Sequence, residues 1–200
     1  MWSKLWDKPA GYLAQTYVRL NKLGYHNEQH LLDCYKYLED ANVPYNINLD
    51  CAILYHDCVY DAEPNKEFRS IDKFIQAAMF DFPDWFAGIN VNIVTGLIVD
   101  TIEHRVDRTN PLSTWMIQAD LSGFMNGSTT LMNYIRVMNE SMHLYGCTRE
   151  EFAKSNRKFV QDLMQRLEYN ALNDTENLET WKRIAKGVTD TIHLSNMIDP

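Results

Sequence analysis

Histidine and aspartate recur in three short segments of this sequence, at spacings that suit metal binding or proton transfer. The first segment, YHNEQH, carries His26 and His30 four residues apart, which is about one helical turn. The second contains the adjacent pair His56 and Asp57, which interrupts an otherwise apolar run, AILYHDCVYD. The third contains Asp120, a charge in the largely apolar stretch IQADLSGF. Because charged side chains are rarely buried without a partner, these residues are the first candidates for a functional site.

The two aspartates Asp57 and Asp120, together with two histidines from separate segments, have the composition of a divalent metal site. An ionised carboxylate that is buried without a partner is strongly destabilising, so two aspartates on apolar segments need positive charge nearby. Imidazole and carboxylate ligands suit Mn, Fe, Co, Ni or Zn, and carboxylates also bind Mg. Two imidazoles without a thiolate favour a catalytic site with open positions over a closed structural site. We therefore expect one or two divalent ions per chain.

The pattern of apolar residues predicts the elements that must bring these segments together. Apolar residues recur at i, i+3, i+4 and i+7 almost throughout the chain, and no segment sustains an alternation of period two. We expect an all-α fold, a single helical bundle over residues 1–200. Its core spans about 12–170, and a C-terminal helix over about 174–195 packs on it.

Local signals predict several helix boundaries. Pro9 is a favourable residue for the first turn of a helix, and Thr148 followed by Glu151 forms a capping box for a long helix. Another helix is predicted to carry the whole of LDCAILYHDCVY. His56 and Asp57 are therefore expected to lie inside that helix.

The composition excludes some classes of partner. The 200 residues carry 27 acidic and 19 basic side chains, and the resulting net charge of −8 opposes docking on double-stranded DNA or an anionic membrane. The most apolar window, VNIVTGLIVDTI, is too short for a transmembrane helix. The first residues, MWSKLWDKPAG, lack the apolar region of a signal peptide, and the four cysteines form no CxxC pair, so we expect a cytoplasmic protein with reduced thiols. The sequence leaves open whether the chain is a monomer or a homo-oligomer.

The arrangement of these residues resembles a known superfamily of hydrolases. His30, an adjacent histidine-aspartate pair and a distant aspartate, on different predicted helices, are similar to the H…HD…D pattern of the HD-domain metal-dependent phosphohydrolases. The segments YHNEQHLLDCYKYL, AILYHDCVYDAEPNKEFRS, TIEH and ADLSGF resemble a bacterial and phage branch of that superfamily over about residues 12–170. The element YHNxxH also resembles the corresponding element of the cyclic-nucleotide phosphodiesterases.

This resemblance implies a phosphohydrolase that uses metal-activated water to cleave a phosphate ester of a nucleotide or a similar small molecule. It implies that His30, His56, Asp57 and Asp120 hold the metal and that His26 is the general acid that protonates the leaving oxygen. The expected partner is a small phosphorylated substrate, and neither a membrane nor a nucleic-acid duplex is expected.

Other side chains near these segments each have a functional and a structural interpretation. Asp61, predicted one helical turn after the histidine-aspartate pair, either orients the attacking water or completes a second metal site, or it is an ordinary carboxylate at a helix end. His104 is a second-metal ligand or phosphate donor, or a structural histidine. Glu67 supports the metal ligands or is solvated. Arg136 and Arg157 bind the phosphate through their planar guanidinium groups, or they are surface charges.

Two other functions are compatible with the same residues. An HD-fold di-iron oxygenase needs further histidines between the histidine-aspartate pair and Asp120, and only His104 lies there. A non-catalytic, nucleotide-sensing module would keep the metal ligands without turnover. Metal content and dioxygen consumption separate the first alternative from a hydrolase, and nucleotide binding without release of phosphate identifies the second.

Overall fold

Amphipathic helices build this structure, a computed structural model that describes residues 2–125 and 127–198. The described residues contain no β-strand, which confirms the predicted all-α fold. Within them the α-helices are α1 (Pro9–Asn21), α2 (Glu28–Asp40), α3 (Ile47–Tyr55), α4 (Lys66–Gln76), α5 (Val91–Glu103), α6 (Ser113–Asp120), α7 (Gly127–Tyr145), α8 (Arg149–Asn173) and α9 (Leu178–Ile198). Short π-helical or 3-10 turns lie at 77–81, 83–86, 121–124 and 175–177. In the part of the chain that is described, no helix has the length and apolar character needed to cross a membrane.

Side-chain caps fix the start of several of these helices. The side-chain oxygens of Asn27, Asn46 and Asn90 accept hydrogen bonds from backbone N–H groups in the first turns of α2, α3 and α5. At the start of α8 the Thr148 side chain accepts from the Glu151 N–H, and the Glu151 side chain accepts from the Thr148 N–H. The predicted capping box is therefore confirmed.

Helix α3 is the centre of the larger hydrophobic core. All seven residues from Leu49 to Tyr55 are buried, and α3 packs against α1, α2, α4, α5 and α6. A smaller core joins α8 and α9 around the buried ring of Trp181. Helix α6 contributes to both, because Met116 belongs to the first core and Ile117 to the second. Asp120, the last residue of α6, therefore lies at the boundary between the two cores.

The end of α3 differs from the sequence prediction. The helix ends at Tyr55, so His56 caps it and Asp57 lies in the turn that follows, outside the helix. The physical reason is a tertiary hydrogen bond: the N–H of Val59 donates to the Ser70 hydroxyl of α4, at 3.0 Å, instead of continuing the helical ladder. The prediction that both residues lie inside the helix was therefore wrong.

Candidate metal centre

Four side chains from three parts of the fold converge at one point. His30 comes from the first turn of α2, His56 and Asp57 from the end of α3, and Asp120 from the end of α6. Nε2 of His30 lies 3.1 Å from Oδ1 of Asp120 and 3.2 Å from Nε2 of His56. Nε2 of His56 lies 3.0 Å from Oδ2 of Asp57. One ligand atom from each residue lies within 4.8 Å of all the others, so the structure brings the four predicted ligands together.

The distances and charges of this cluster fit a divalent cation. Metal–nitrogen and metal–oxygen bonds of about 2.1 Å place neighbouring ligand atoms about 3 Å apart, which matches the separations observed. Burial alone would raise the pKa of Asp57, but the charge and hydrogen bond of His56 outweigh it, and the pKa lies below its usual range. Burial would likewise raise the pKa of Asp120, but hydrogen bonds from His104, His30 and His56 hold it well below. The ionised form of both carboxylates is therefore stabilised by neighbouring donors and positive charge, and a divalent ion would supply further positive charge.

A backbone contact orients one of the imidazoles. Nδ1 of His56 donates a hydrogen bond to the carbonyl oxygen of Ile53, at 2.9 Å, which directs Nε2 into the cluster. Burial would lower the pKa of His56, but the carboxylates of Asp57 and Asp120 outweigh it and raise that pKa well above its usual value. His56 is therefore oriented by the fold, with its Nε2 directed at these two carboxylates.

His104 lies beside the cluster and approaches the carboxylate oxygen of Asp120 that does not face His30. Its Nε2 is 3.3 Å from Oδ2 of Asp120, whereas the other oxygen of Asp120 faces His30. His104 follows α5 in the left-handed region, with φ 51°, and the fully buried Asn170 holds this turn by bonding to the His104 carbonyl and the Val106 N–H. Nδ1 of His104 is buried without a hydrogen-bond partner in the described chain. His104 is thus near enough to orient Asp120.

His26 precedes α2 and is held by a residue that the sequence did not indicate. Its Nδ1 contacts the carboxylate of Glu140 from α7, and the backbone N–H groups of Tyr25 and His26 donate to the same carboxylate at 2.8 and 3.1 Å. Burial would raise the pKa of Glu140, but the hydrogen bonds from His26 and from these two N–H groups lower it. Because Nδ1 is occupied, Nε2 is the ring nitrogen that remains for a ligand.

A cavity of about 670 Å³ covers this site. Its lining includes His26, Asp57, His104 and Asp120, and this volume is typical of a pocket for a small molecule. Helices α7 and α8 supply much of the remaining wall. Two of the candidate ligands, Asp57 and Asp120, therefore share one cavity with His26 and His104.

The other predicted residues are distributed unevenly around this cavity. Glu67 lines it. Asp61 does not line the cavity and forms an ion pair with Arg69. Because α3 ends at Tyr55, Asp61 does not lie one helical turn beyond Asp57, and that prediction was wrong. Neither Arg136, which is exposed, nor Arg157 occurs among the described lining residues.

Comparisons with protein-family models, with curated proteins and with solved structures found no match. The resemblance to HD phosphohydrolases therefore stays a prediction, and the chemistry of this site is interpreted from its own geometry.

Proposed function

We propose that this chain is a metal-dependent phosphohydrolase of the HD type, which cleaves a phosphate ester of a nucleotide or a similar small substrate. The observation that supports this most is the His30, His56, Asp57 and Asp120 cluster together with His26, because ligands and a candidate acid line or border one cavity. A site that binds a metal only for stability would be closed by its ligands. Here two of the four candidate ligands line a cavity large enough for a substrate.

The four clustered side chains would hold the ion, and His104 would orient Asp120 through its second oxygen. A divalent cation at this site would lower the pKa of a bound water and offset negative charge on a phosphoryl oxygen. The carboxylates of Asp57 and Asp120 are already ionised because the surrounding imidazoles lower their pKa values. They need no deprotonation before they bind the ion.

His26 would provide the proton for the leaving group. The oxygen of water bonds to phosphorus, the bond from phosphorus to the ester oxygen breaks, and that oxygen takes the proton from Nε2 of His26. The proton released by the water passes to solvent, and His26 takes up a new proton for the next turnover. Glu140 fixes the ring, because its carboxylate contacts Nδ1 and accepts hydrogen bonds from the backbone N–H groups of Tyr25 and His26.

The test is a panel of phosphate esters incubated with the purified chain and Mn, Co, Ni or Mg. Nucleoside mono-, di- and triphosphates and cyclic nucleotides are assayed for release of phosphate or nucleoside. We expect hydrolysis by the wild type and none by Asp120→Asn, whereas Asp40→Asn, which changes an exposed carboxylate on α2, stays active. Absence of hydrolysis with every metal would overturn the proposal, as would two irons per chain together with dioxygen consumption.

A further inference from the structure

The cavity wall contains a lysine whose charge no carboxylate offsets directly. Lys66, at the start of α4, is the only lysine or arginine among the described lining residues. Within the described chain no carboxylate lies at ion-pair distance from its Nζ. Instead Nζ lies over the ring of Tyr60, 3.4 Å from its centroid. A cation held by an aromatic face keeps its N–H donors available for an anion.

Tyr60 connects this lysine to the candidate acid. Its ring stacks on the imidazole of His26 with 3.7 Å between centroids and 16° between planes. Lys66, Tyr60 and His26 therefore form a column along the cavity wall, and all three line the cavity. The ammonium group lies on the same wall as the imidazole proposed to be the general acid, where it could contact a phosphoryl group of a bound substrate.

The wall contributed by α7 and α8 combines polar side chains with an aromatic and aliphatic surface. It includes several aromatic or aliphatic side chains: Tyr134, Val137, Phe152, Phe159 and Val160. The ring of Phe159 lies 6.3 Å from that of His104, centroid to centroid and nearly perpendicular, so this wall reaches the metal site. Such a surface binds a flat or apolar organic group.

One polar group in this wall has no partner. Nδ2 of Asn156 is buried and makes no hydrogen bond to the described residues, and Asn156 lies three residues before Phe159 on α8. A buried, unpaired donor costs about 1–3 kcal/mol, so native structures rarely keep one without a use. Asn170 on the same helix differs, because both its oxygen and its nitrogen are bonded to backbone. Asn156 lines the cavity, so a rotation of its side-chain amide would present this donor to a bound molecule.

We propose that the substrate carries one monoester phosphate on a heteroaromatic group, as a nucleoside monophosphate does, with Lys66 binding the phosphate and Asn156 donating to the ring. This proposal rests on the proposed function. A monoester phosphate holds a second negative charge above its second pKa of about 6, which Lys66 offsets. A triphosphate brings further charges that meet the carboxylates of Glu67 and Glu151 in the wall, with no further cation among the described lining residues.

The test compares kcat/KM with Mn²⁺ for a nucleoside monophosphate, phenyl phosphate, glycerol phosphate, a nucleoside triphosphate and a cyclic nucleotide. We expect the nucleoside monophosphate to be the best substrate, by about tenfold or more over glycerol phosphate and the triphosphate. Lys66→Met should lower kcat/KM for every monoester by about 10–100-fold, the value of a charged hydrogen bond. Asn156→Ala should lower it about tenfold for the nucleotide and leave phenyl phosphate unchanged.

Matched controls change exposed residues of the same type that do not line the cavity. Lys158→Met on α8 and Asn139→Ala on α7 should leave kcat/KM unchanged, and metal content should equal that of the wild type in all four variants. Binding of phenylphosphonate with Mn²⁺, followed by calorimetry, reports on the cavity without turnover, and Lys66→Met should weaken it at least fivefold.

The outcomes separate this inference from the proposed function. Hydrolysis that favours triphosphates, cyclic nucleotides or glycerol phosphate, or that Lys66→Met does not change, overturns the substrate class and leaves the phosphohydrolase intact. Absence of all hydrolysis overturns the function. In that case phenylphosphonate binding that depends on Lys66 still supports a monophosphate ligand, and absence of that binding overturns the inference as well.

Discussion

Asp50 lies in the first turn of α3 and Asp57 just after its end, and the surroundings of these two aspartates differ in kind. Asp50 is fully buried within α3 and accepts hydrogen bonds from the Tyr35 hydroxyl, at 2.7 Å, and from the Leu5 N–H, at 3.2 Å. Burial raises its pKa, and these neutral donors offset only part of that effect. The carboxylate of Asp57 instead lies near the imidazoles of His30 and His56, at 3.6 and 3.0 Å, and its pKa is lowered.

The difference separates a structural carboxylate from one that is a candidate metal ligand. Neutral hydrogen bonds link Asp50 to the N-terminal segment and to α2, and they leave it no open side. Asp57 lines a cavity, and its carboxylate is stabilised by the charge of its neighbours. Such a charged cluster contributes little to the free energy of unfolding, because the cost of desolvating the charges offsets their attraction. Removing Asp57 should therefore affect metal binding and catalysis, whereas removing Asp50 should affect folding.

The largest effect is expected when a metal ligand is removed. His56→Ala and Asp57→Asn should each lower metal affinity more than about 100-fold, because even partners outside the ligand set typically contribute that much. Hydrolysis should disappear in parallel. Metal analysis after dialysis, together with a phosphate-release assay, measures both. Either variant retaining wild-type metal content would show that the four residues are not the ligands.

His26 should separate catalysis from metal binding. His26→Ala should reduce kcat by about 10²–10⁴-fold, the typical contribution of a general acid, while bound metal stays at the wild-type level. Glu140→Gln should give a smaller loss in the same direction, because the imidazole keeps a hydrogen-bond partner but loses a charged one. Loss of metal from the His26 variant would contradict the role assigned to this residue.

Asp50 should give the opposite result. Asp50→Ala leaves the Tyr35 hydroxyl and the Leu5 N–H buried without their acceptor, so the free energy of unfolding should fall by about 3 kcal/mol. Urea denaturation measures this change, and calorimetry of the folded variant should give wild-type metal affinity. An Asp50→Ala variant that is as stable as the wild type but binds metal poorly would contradict this structural role of Asp50.

The smallest effect is expected for Asp100 on α5, a partly buried aspartate that does not belong to the candidate metal site. Burial raises its pKa to about 6, and its Oδ2 has no hydrogen-bond partner in the described chain. A raised pKa in the folded state means that the folded protein binds the proton more tightly, so stability is lost as pH rises from about 4 to about 6. Asp100→Asn removes this loss and should be more stable than the wild type by about 1 kcal/mol above pH 7, since the group is partly exposed.

Denaturation at pH 4 and pH 7 checks the sign of this effect. The advantage of the Asp100 variant should be larger at pH 7 than at pH 4. An advantage that is equal at both values would show that the carboxyl group is not protonated preferentially in the folded state.

Local and patterned features of this fold were predictable from the sequence. The capping box at Thr148 and Glu151 involves residues three apart, so a short window contains all of it. The convergence of Asp57 and Asp120 with histidines was also predictable, because charged residues on apolar segments must meet a partner inside the fold, and the resemblance indicated His30 as one of these histidines.

Features that depend on distant partners were not predictable. The sequence separates Glu140 from His26 by 114 residues, and its polar neighbours Asn139 and Ser141 gave no sign that it is buried. The end of α3 was misplaced because the Ser70 hydroxyl competes for the Val59 N–H only once α4 has packed. The periodicity of α7 does not show which of its faces meets the cavity. Arg136 was therefore a candidate for phosphate binding from the sequence, although the structure shows that it is exposed.

Metal binding by the wild type tests the central claim most directly. Mn²⁺, Co²⁺, Ni²⁺ and Zn²⁺ are titrated into metal-stripped wild type, Asp57→Asn and Asp50→Ala, with calorimetry for stoichiometry and thermal denaturation for linkage. We predict one or two ions per chain for the wild type, and a stabilisation of about 2.7 kcal/mol at a hundredfold excess over Kd. The Asp57 variant should lose this response and the Asp50 variant should keep it. Equal responses in the wild type and the Asp57 variant, or no binding by the wild type, would contradict the account.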